Sequence, residues 1–381
     1  MSTAAPSVIF DETGNLALMA LLFVFRSVPA LPANAALIAL ENRGHKSFSI
    51  LPRLELGRCV LYFPTIFFDN EVIVLISTLA WAFAESLAMP CYYSLAPVAD
   101  VANKPEKSIN RLLTVTNLTM LVGPAIAGTV ATYLPFGTLS FISVALFAGA
   151  SMFTSRFSKI VQQSFHDPSV PISESSFVPN ENRDATSGRV NTKIPKMVLI
   201  YLIVDATSGF AFGSLNPLMP IIASGISEVP IALYGAFLSL LMGGQLCGNI
   251  VYELIGDLFS SNKLYFIATG FSLLAFLLFG WAPWWALCGV FLFLTGLGNS
   301  IQDVCLLTSL QTANRLSPST RLIALRESIG SITVLCASVV IAILISLIPV
   351  NIIVTVVFIV AVATSIITWT RLSNPQSKPL T

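Results

Sequence analysis

Four charged residues stand inside otherwise apolar stretches of the chain: Arg26, Glu85, Asp205 and Asp303. An ionised side chain in a bilayer interior is costly and marks a functional site by default. At 1.5 Å of helix rise per residue, Arg26 and Glu85 lie near the middle of their stretches, at depths agreeing to about one helical turn. Desolvation disfavours a carboxylate there, and a nearby guanidinium restores it. That balance would let Glu85 load and release a proton, with Arg26 setting its affinity. Asp205 and Asp303 are the reserve candidates, Asp303 with the polar Asn299 and Gln302 close by in its stretch. Each acid is equally readable as a buried polar residue satisfied by a neighbour, and Glu85 with Arg26 as a purely structural pair.

Other chemistries lack their residues. The two histidines, His45 and His166, fall in polar segments, away from the apolar runs. The six cysteines all fall in apolar runs without a CxxC pair, which reads as small apolar packing. There is no GxxxxGK[ST] loop and no HExxH. No catalytic residue, metal or cofactor is expected, and the chain is not expected to be an enzyme.

The elements that must hold these charges follow from composition. Of 381 residues, 55% are hydrophobic and 10% charged, against about 25% charged in a soluble domain. A net charge of +1 excludes a nucleic-acid binder held by bulk charge. The high hydrophobicity excludes a disordered chain. A spanning helix needs about 20 apolar residues. Eleven runs qualify, at roughly 15–40, 50–68, 71–98, 109–133, 136–157, 197–224, 229–256, 262–281, 283–311, 321–348 and 350–371. They are continuous rather than alternating, so the class is all-α and not a barrel. A Ser-, Pro- and Asn-rich polar stretch divides them five and six, giving a helical half at 1–157, a linker at 158–196 and a second half at 197–381. Residues 16–25, with Ala33-Asn34-Ala35 beyond, mimic a signal peptide. Asp11 and Glu12 precede them without any Lys or Arg, so the run is read as a mature helix.

Nineteen of the 20 Lys and Arg residues, Arg58 and Arg326 among them, fall to one set of loops, and Arg26 alone to a span. Short cationic loops stay cytoplasmic. This predicts a multi-pass protein of the cell (plasma) membrane, with its linker and C-terminus in the cytoplasm and its N-terminus outside. Gly209 with Gly213, and Gly244 with Gly248, are small-xxx-small pairs that predict close helix packing. Gly123-Pro124 sits within a span, where Pro removes a backbone donor and kinks a helix.

The halves resemble each other. ALENRGHKS (39–47) matches LIGDLFSSNK (254–263) in carrying an acid, Glu41 or Asp257, at a helix end before a Lys. LAPVADVANKPEKSINRLL (95–113) matches LTSLQTANRLSPSTRLIAL (307–325), and Pro105 and Pro318 lie 213 residues apart. Parallel repeats of this kind are a transporter architecture. On these features the chain resembles the major facilitator superfamily, most closely its bacterial enterobactin-exporter and macrolide-efflux-like branch. The stretch AFAESLAMPCYYSLAP around Glu85 resembles that branch's fourth helix. NLTMLVGPAIAG (117–128) resembles its fifth-helix signature, carried by Gly123, Pro124 and Gly128. ALIALENRGHK (36–46) resembles the family's acidic–basic loop in weakened form, with Glu41, Gly44 and Lys46 at the matching places and Asn42 where an Arg is usual.

The resemblance implies two helical halves, here five plus six helices, the first of the family's twelve lacking by loop matching. It implies that the Asp205 and Asp303 spans line a cavity, and that Glu41, Gly44, Lys46 and Asp257 form a gate between halves. Gly123, Pro124 and Gly128 would shape the contact of the halves. The expected function is secondary active transport, as a proton-coupled exporter of small amphipathic molecules acting as an antiporter. The expected partners are substrate, protons and lipid, with no nucleic acid and a monomeric state. The alternative is a non-transporting membrane subunit, or a shortened, decayed transporter. Reporter fusions check the topology: residues 175 and 378 should report as cytoplasmic and residue 228 as external, and a cytoplasmic signal at 228 would overturn it.

Overall fold

Inside hydrocarbon the backbone must satisfy its own hydrogen bonds, which leaves the helix as the unit for long apolar runs. The computed structural model describes residues 27–43, 47–67, 71–99, 105–131, 136–166, 196–226, 230–312, 320–345 and 347–373. Eleven α-helices carry them: α1 (Ala30–Asn42), α2 (Ser47–Tyr62), α3 (Glu71–Ala99), α4 (Pro105–Ala131), α5 (Phe136–His166), α6 (Lys196–Ile226), α7 (Pro230–Ile255), α8 (Ser261–Trp281), α9 (Trp285–Thr312), α10 (Thr320–Leu344) and α11 (Val350–Ser373); the first apolar run, 15–40, lies outside the described residues up to residue 26. A 3₁₀ turn, Phe63–Ile66, extends α2. Seven of them (α5 to α11) are long and apolar enough to cross a membrane. Helix α5 continues to His166, into the stretch read as linker from residue 158.

Hydroxyl side chains fold back onto their own helices. Thr269 donates to the Tyr265 carbonyl at 2.8 Å, and Thr295 to that of Phe291 at 2.7 Å. Each hydroxyl is thereby satisfied without water.

In the first group of helices, α2 lies against α3 and α5, and α1 against α3. In the second, α9 lies between α7 and α8, α10 packs on α6, and α11 covers α6 and α8. The two groups meet where α4 packs on α7 and α9, and where α10 packs on α1 and α3. Buried side chains drawn from both groups lie at one end, shared by Lys196, Ala99 and Thr320. Tyr93, Ile109 and Leu113 pack there with Tyr201, Leu310 and Ile323, and Ala324 joins Leu37, Leu51 and Leu95. Among the described residues, the core toward the opposite end, with Leu215, Phe237, Phe276 and Phe279, is drawn from the second group.

Three glycines set the closest helix approach. A Cβ on Gly244 would strike the Phe293 backbone, 2.8 Å from its carbonyl carbon. One on Gly248 would meet the Leu297 carbonyl and the Ser300 Cβ, and one on Gly296 the Leu241 carbonyl. Helices α7 and α9 therefore touch backbone to backbone. Gly213 does the same for α6 against Val334 of α10, whereas Gly209 has ordinary clearance from Thr333. Overpacking such a site costs about 1–3 kcal/mol. Gly244→Ala should lower the apparent melting temperature in detergent by several degrees. Gly270→Ala, with nothing within 4 Å, should leave it unchanged; equal melting of the two variants would remove the packing argument.

Candidate functional site

Three helices bring charge to one layer of the bundle. Asp205 lies nine residues after Lys196 in α6, Asp303 nine before Thr312 in α9, and Arg326 six after Thr320 in α10. At 1.5 Å per residue these depths are about 14, 14 and 9 Å from the same end. The Arg326 guanidinium spends each of its nitrogens on a different carboxylate. Nε lies 3.2 Å from Asp205 Oδ2, Nη2 2.5 Å from Asp303 Oδ1, and Nη1 2.7 Å from Glu327 Oε1.

Polar neighbours fix the acids. Asn299 Nδ2 donates to Asp303 Oδ2 at 3.3 Å from one turn earlier on α9. Gln302 Nε2 donates to Ser208 Oγ at 2.8 Å, and that hydroxyl donates to the Asp205 carbonyl at 3.2 Å. Exposure is graded. The Asp205 side chain is 8% exposed, Arg326 18%, Asp303 24% and Glu327 28%. The cluster is thus closed behind Asp205 and partly open at Asp303 and Glu327. With all four groups ionised, one positive charge faces three negative ones. The two surplus charges lie where an uncompensated ion costs most.

On the facing helix α3, Tyr93 is within electrostatic reach of Glu327, Arg326, Asp303 and Glu85. Its carbonyl accepts a hydrogen bond from Gln311 Nε2 of α9 at 2.6 Å. A second bond of this kind joins α4 to α7, from Asn110 Nδ2 to the Asn249 carbonyl at 3.0 Å. Ser300 of α9 bonds the Asn249 side chain. Both cross-group bonds are buried and lie at the Lys196 end. Each amide is half used: Asn110 Oδ1, Asn249 Nδ2 and Gln311 Oε1 are buried without a hydrogen-bond partner.

A second buried ion pair sits in the first group. Arg58 Nη1 lies 2.9 Å from Glu55 Oε1, which also accepts from the Tyr92 hydroxyl at 2.9 Å. The Arg58 guanidinium stands 6.0 Å from the Phe147 ring. Charges here balance one to one, and the arrangement ties α2 to α3 and α5.

No family model and no curated protein matches the sequence. Solved structures do match in shape. The human organic anion transporter MFSD10 (TETRAN) superposes with a TM-score of 0.67 at 13% identity, covering 96% of this chain and 89% of that one. The Escherichia coli fucose:proton symporter FucP gives a TM-score of 0.61 at 13% identity, covering 96% and 92%. The fold is that of the major facilitator superfamily.

Within the major facilitator fold, four of the residues singled out from sequence come together: Asp205, Asn299, Gln302 and Asp303. Glu85 lies at the middle of α3, half-buried and within electrostatic reach of Tyr93, and Arg26 lies outside the described residues. Glu41 falls in the last turn of α1, and Gly44 and Lys46 lie outside the described residues. Gly123, Pro124 and Gly128 all lie within α4, which runs through them as one helix. Asp257 is exposed in the turn after α7.

Two assignments need correction. Arg58 and Arg326 are not loop cations: Arg58 is 7% exposed inside α2, and Arg326 is held inside the bundle by three acids. Sequence reasoning missed the central residue of the site, with its neighbour Glu327. The available signal was depth, since Arg326 enters its helix from the same end as Asp205 and Asp303 and nearly as far.

A buried hydrogen bond contributes about 1 kcal/mol net. Asn110→Ala and Gln311→Ala together should therefore loosen the Lys196 end. Amide hydrogen exchange across residues 105–113 should rise at least fivefold over wild type. Unchanged exchange would mean that these bonds do not hold the helices together.

Proposed function

We propose that the chain is a secondary active transporter of a small molecule, driven by protons that load onto the Asp205–Asp303–Glu327 carboxylates around Arg326. One observation carries the reading: a single guanidinium divided among three carboxylates inside a bundle of major facilitator fold. A proton taken up there removes one of the two surplus buried charges. A proton lost restores it and strengthens the hold of Arg326 on the acids. Arg326 links α6, α9 and α10, so the protonation state changes how tightly those three helices are held, and differential stabilisation of two arrangements is what couples a ligand to a conformational change. The proton site moves accordingly from the Glu85–Arg26 pair expected from sequence to this cluster. Glu85, within electrostatic reach of Tyr93 on the same helix α3, serves as a second carboxylate beside the cluster.

The neighbours give the reading its context, one being a proton symporter and the other an organic anion transporter by name. Export of amphipathic molecules is the direction implied by the efflux-branch resemblance. The gate of Glu41, Gly44, Lys46 and Asp257, and the division into halves at 1–157 and 197–381, are part of the same proposal.

Inverted vesicles carrying the wild-type chain should accumulate members of a dye panel only under an imposed pH gradient. Asp303→Asn keeps the shape of the carboxyl but not its proton, and should lower the gradient-driven rate at least tenfold at equal protein abundance. Glu85→Gln should change the pH dependence without abolishing flux. Gradient-driven flux that is unchanged in Asp303→Asn would remove the cluster from the coupling role. No flux under any condition would favour a non-transporting membrane subunit.

A further inference from the structure

Helix α3 is gripped from both helix groups at two consecutive residues. On the side of the first group, the Tyr92 hydroxyl donates to Glu55 Oε1 at 2.9 Å. On the side of the second, the Tyr93 carbonyl accepts from Gln311 Nε2 of α9 at 2.6 Å. The sequence explains why that carbonyl is available. In an α-helix it would accept the N–H of the residue four positions on. Residue 97 is a proline and has no N–H to give. A carbonyl freed in this way among apolar side chains requires a donor from elsewhere, and Gln311 supplies it. The other cross-group acceptor differs. Four residues after Asn249 stands Glu253, whose N–H is intact, so the bond from Asn110 is an extra one on a carbonyl already in use. Direction is the second requirement. Successive residues of a helix point about 100° apart, so the Tyr93 carbonyl meets Gln311 at one rotation of α3. The Tyr92 bond fixes that rotation, because its acceptor is itself immobilised. Glu55 is 1% exposed and held by Arg58 Nη1 at 2.9 Å within α2. Helix α2 is fastened in turn to α5, where Ser151 Oγ donates to the Pro52 carbonyl at 3.1 Å.

We propose that Tyr92 and Pro97 are positioning residues of α3: Pro97 frees the Tyr93 carbonyl for Gln311, and the Tyr92–Glu55 bond holds α3 at the rotation at which Gln311 reaches it. The balanced Glu55–Arg58 pair then acts beyond its own helix group, as the fixed end of a link that runs from α2 through α3 to α9. The far end of that link matters for the charged layer. Asp303 stands eight residues before Gln311 on α9, and Tyr93 lies six residues before Ala99, as deep from the Lys196 end as Arg326. The Tyr93 ring is buried there with Ile109, Tyr201 and Leu310, side chains of both groups. This goes beyond the transporter reading and does not depend on it.

The test is amide hydrogen exchange of the full-length chain in detergent, read by mass spectrometry on variants with monodisperse elution profiles. Pro97→Ala restores the missing N–H, so α3 regains its own bond at Tyr93 and Gln311 loses its claim on the carbonyl. Exchange across residues 88–96 should fall, while exchange across 305–312 of α9 should rise about threefold or more. A residue with a merely local structural role would not move the two helices in opposite directions. Tyr92→Phe removes a hydroxyl that bonds α2 and not α9, yet it should raise exchange across 305–312 by a similar factor. Combining either variant with Gln311→Ala should add nothing beyond Gln311→Ala by itself, since all three act through one bond. Unchanged exchange across 305–312 in either single variant would overturn the proposal. So would effects that multiply with that of Gln311→Ala. Gradient-driven vesicle flux is a separate measurement, so loss of the link and loss of the transporter reading are told apart.

Discussion

One guanidinium shared among three carboxylates is the constraint around which this bundle is built. Arg326 is reached by acids from α6 and α9 and by its own neighbour on α10. Breaking a buried pair by removing one partner is strongly destabilising, because the other charge is left uncompensated. Helices α6, α9 and α10 must therefore keep Asp205, Asp303 and Arg326 at one depth. The neighbouring contacts follow from that demand. Gly244, Gly248 and Gly296 bring α7 and α9 to backbone contact, and Gly213 lets α10 close on α6. The glycines carry no chemistry of their own, but they allow the charged layer to form.

Two buried ionic groups among the described residues make an informative contrast. Glu55 and Arg58 are matched in charge and lie one turn apart on a single helix, with the Tyr92 hydroxyl as a third member. Nothing remains for a ligand to neutralise, and the pair fastens α2 to its neighbours. The Arg326 cluster is unmatched by design of its composition, spans three helices and is partly open. Imbalance, rather than burial or mere charge, separates the two groups.

Much of this was legible in the sequence. The ten apolar runs from 50–68 onward each became a helix, and the described part of the first run is helical from Ala30, because length and continuity of hydrophobicity leave the backbone no other solution in a membrane. Asp205 and Asp303 were recognisable since a lone acid in an apolar run is costly and must be compensated. Arg326 was not, because Arg321 and Arg326 follow a basic loop closely and both read as part of it. Position along the chain does not tell which of two cations near a helix end faces solvent. Arg321 is exposed, whereas Arg326 points into the bundle, and that difference depends on helix rotation. The same limit hid Arg58. Gly213, Gly244 and Gly248 were readable as packing residues from their spacing, while Gly296, which is spaced four residues from the small Ser300, was missed and emerged with the partner helix.

The amides that join the helix groups at the Lys196 end carry no net charge. Asn110 and Gln311 each donate to a backbone carbonyl across the gap. Such dipolar links are untouched by ionic screening, which weakens exposed ion pairs as salt rises, and they do not titrate in the physiological range. Their contribution to closure at that end is therefore constant across changes of acidity and salinity. The molecule thus places an uncharged fastening and a charged layer within about two helical turns of each other.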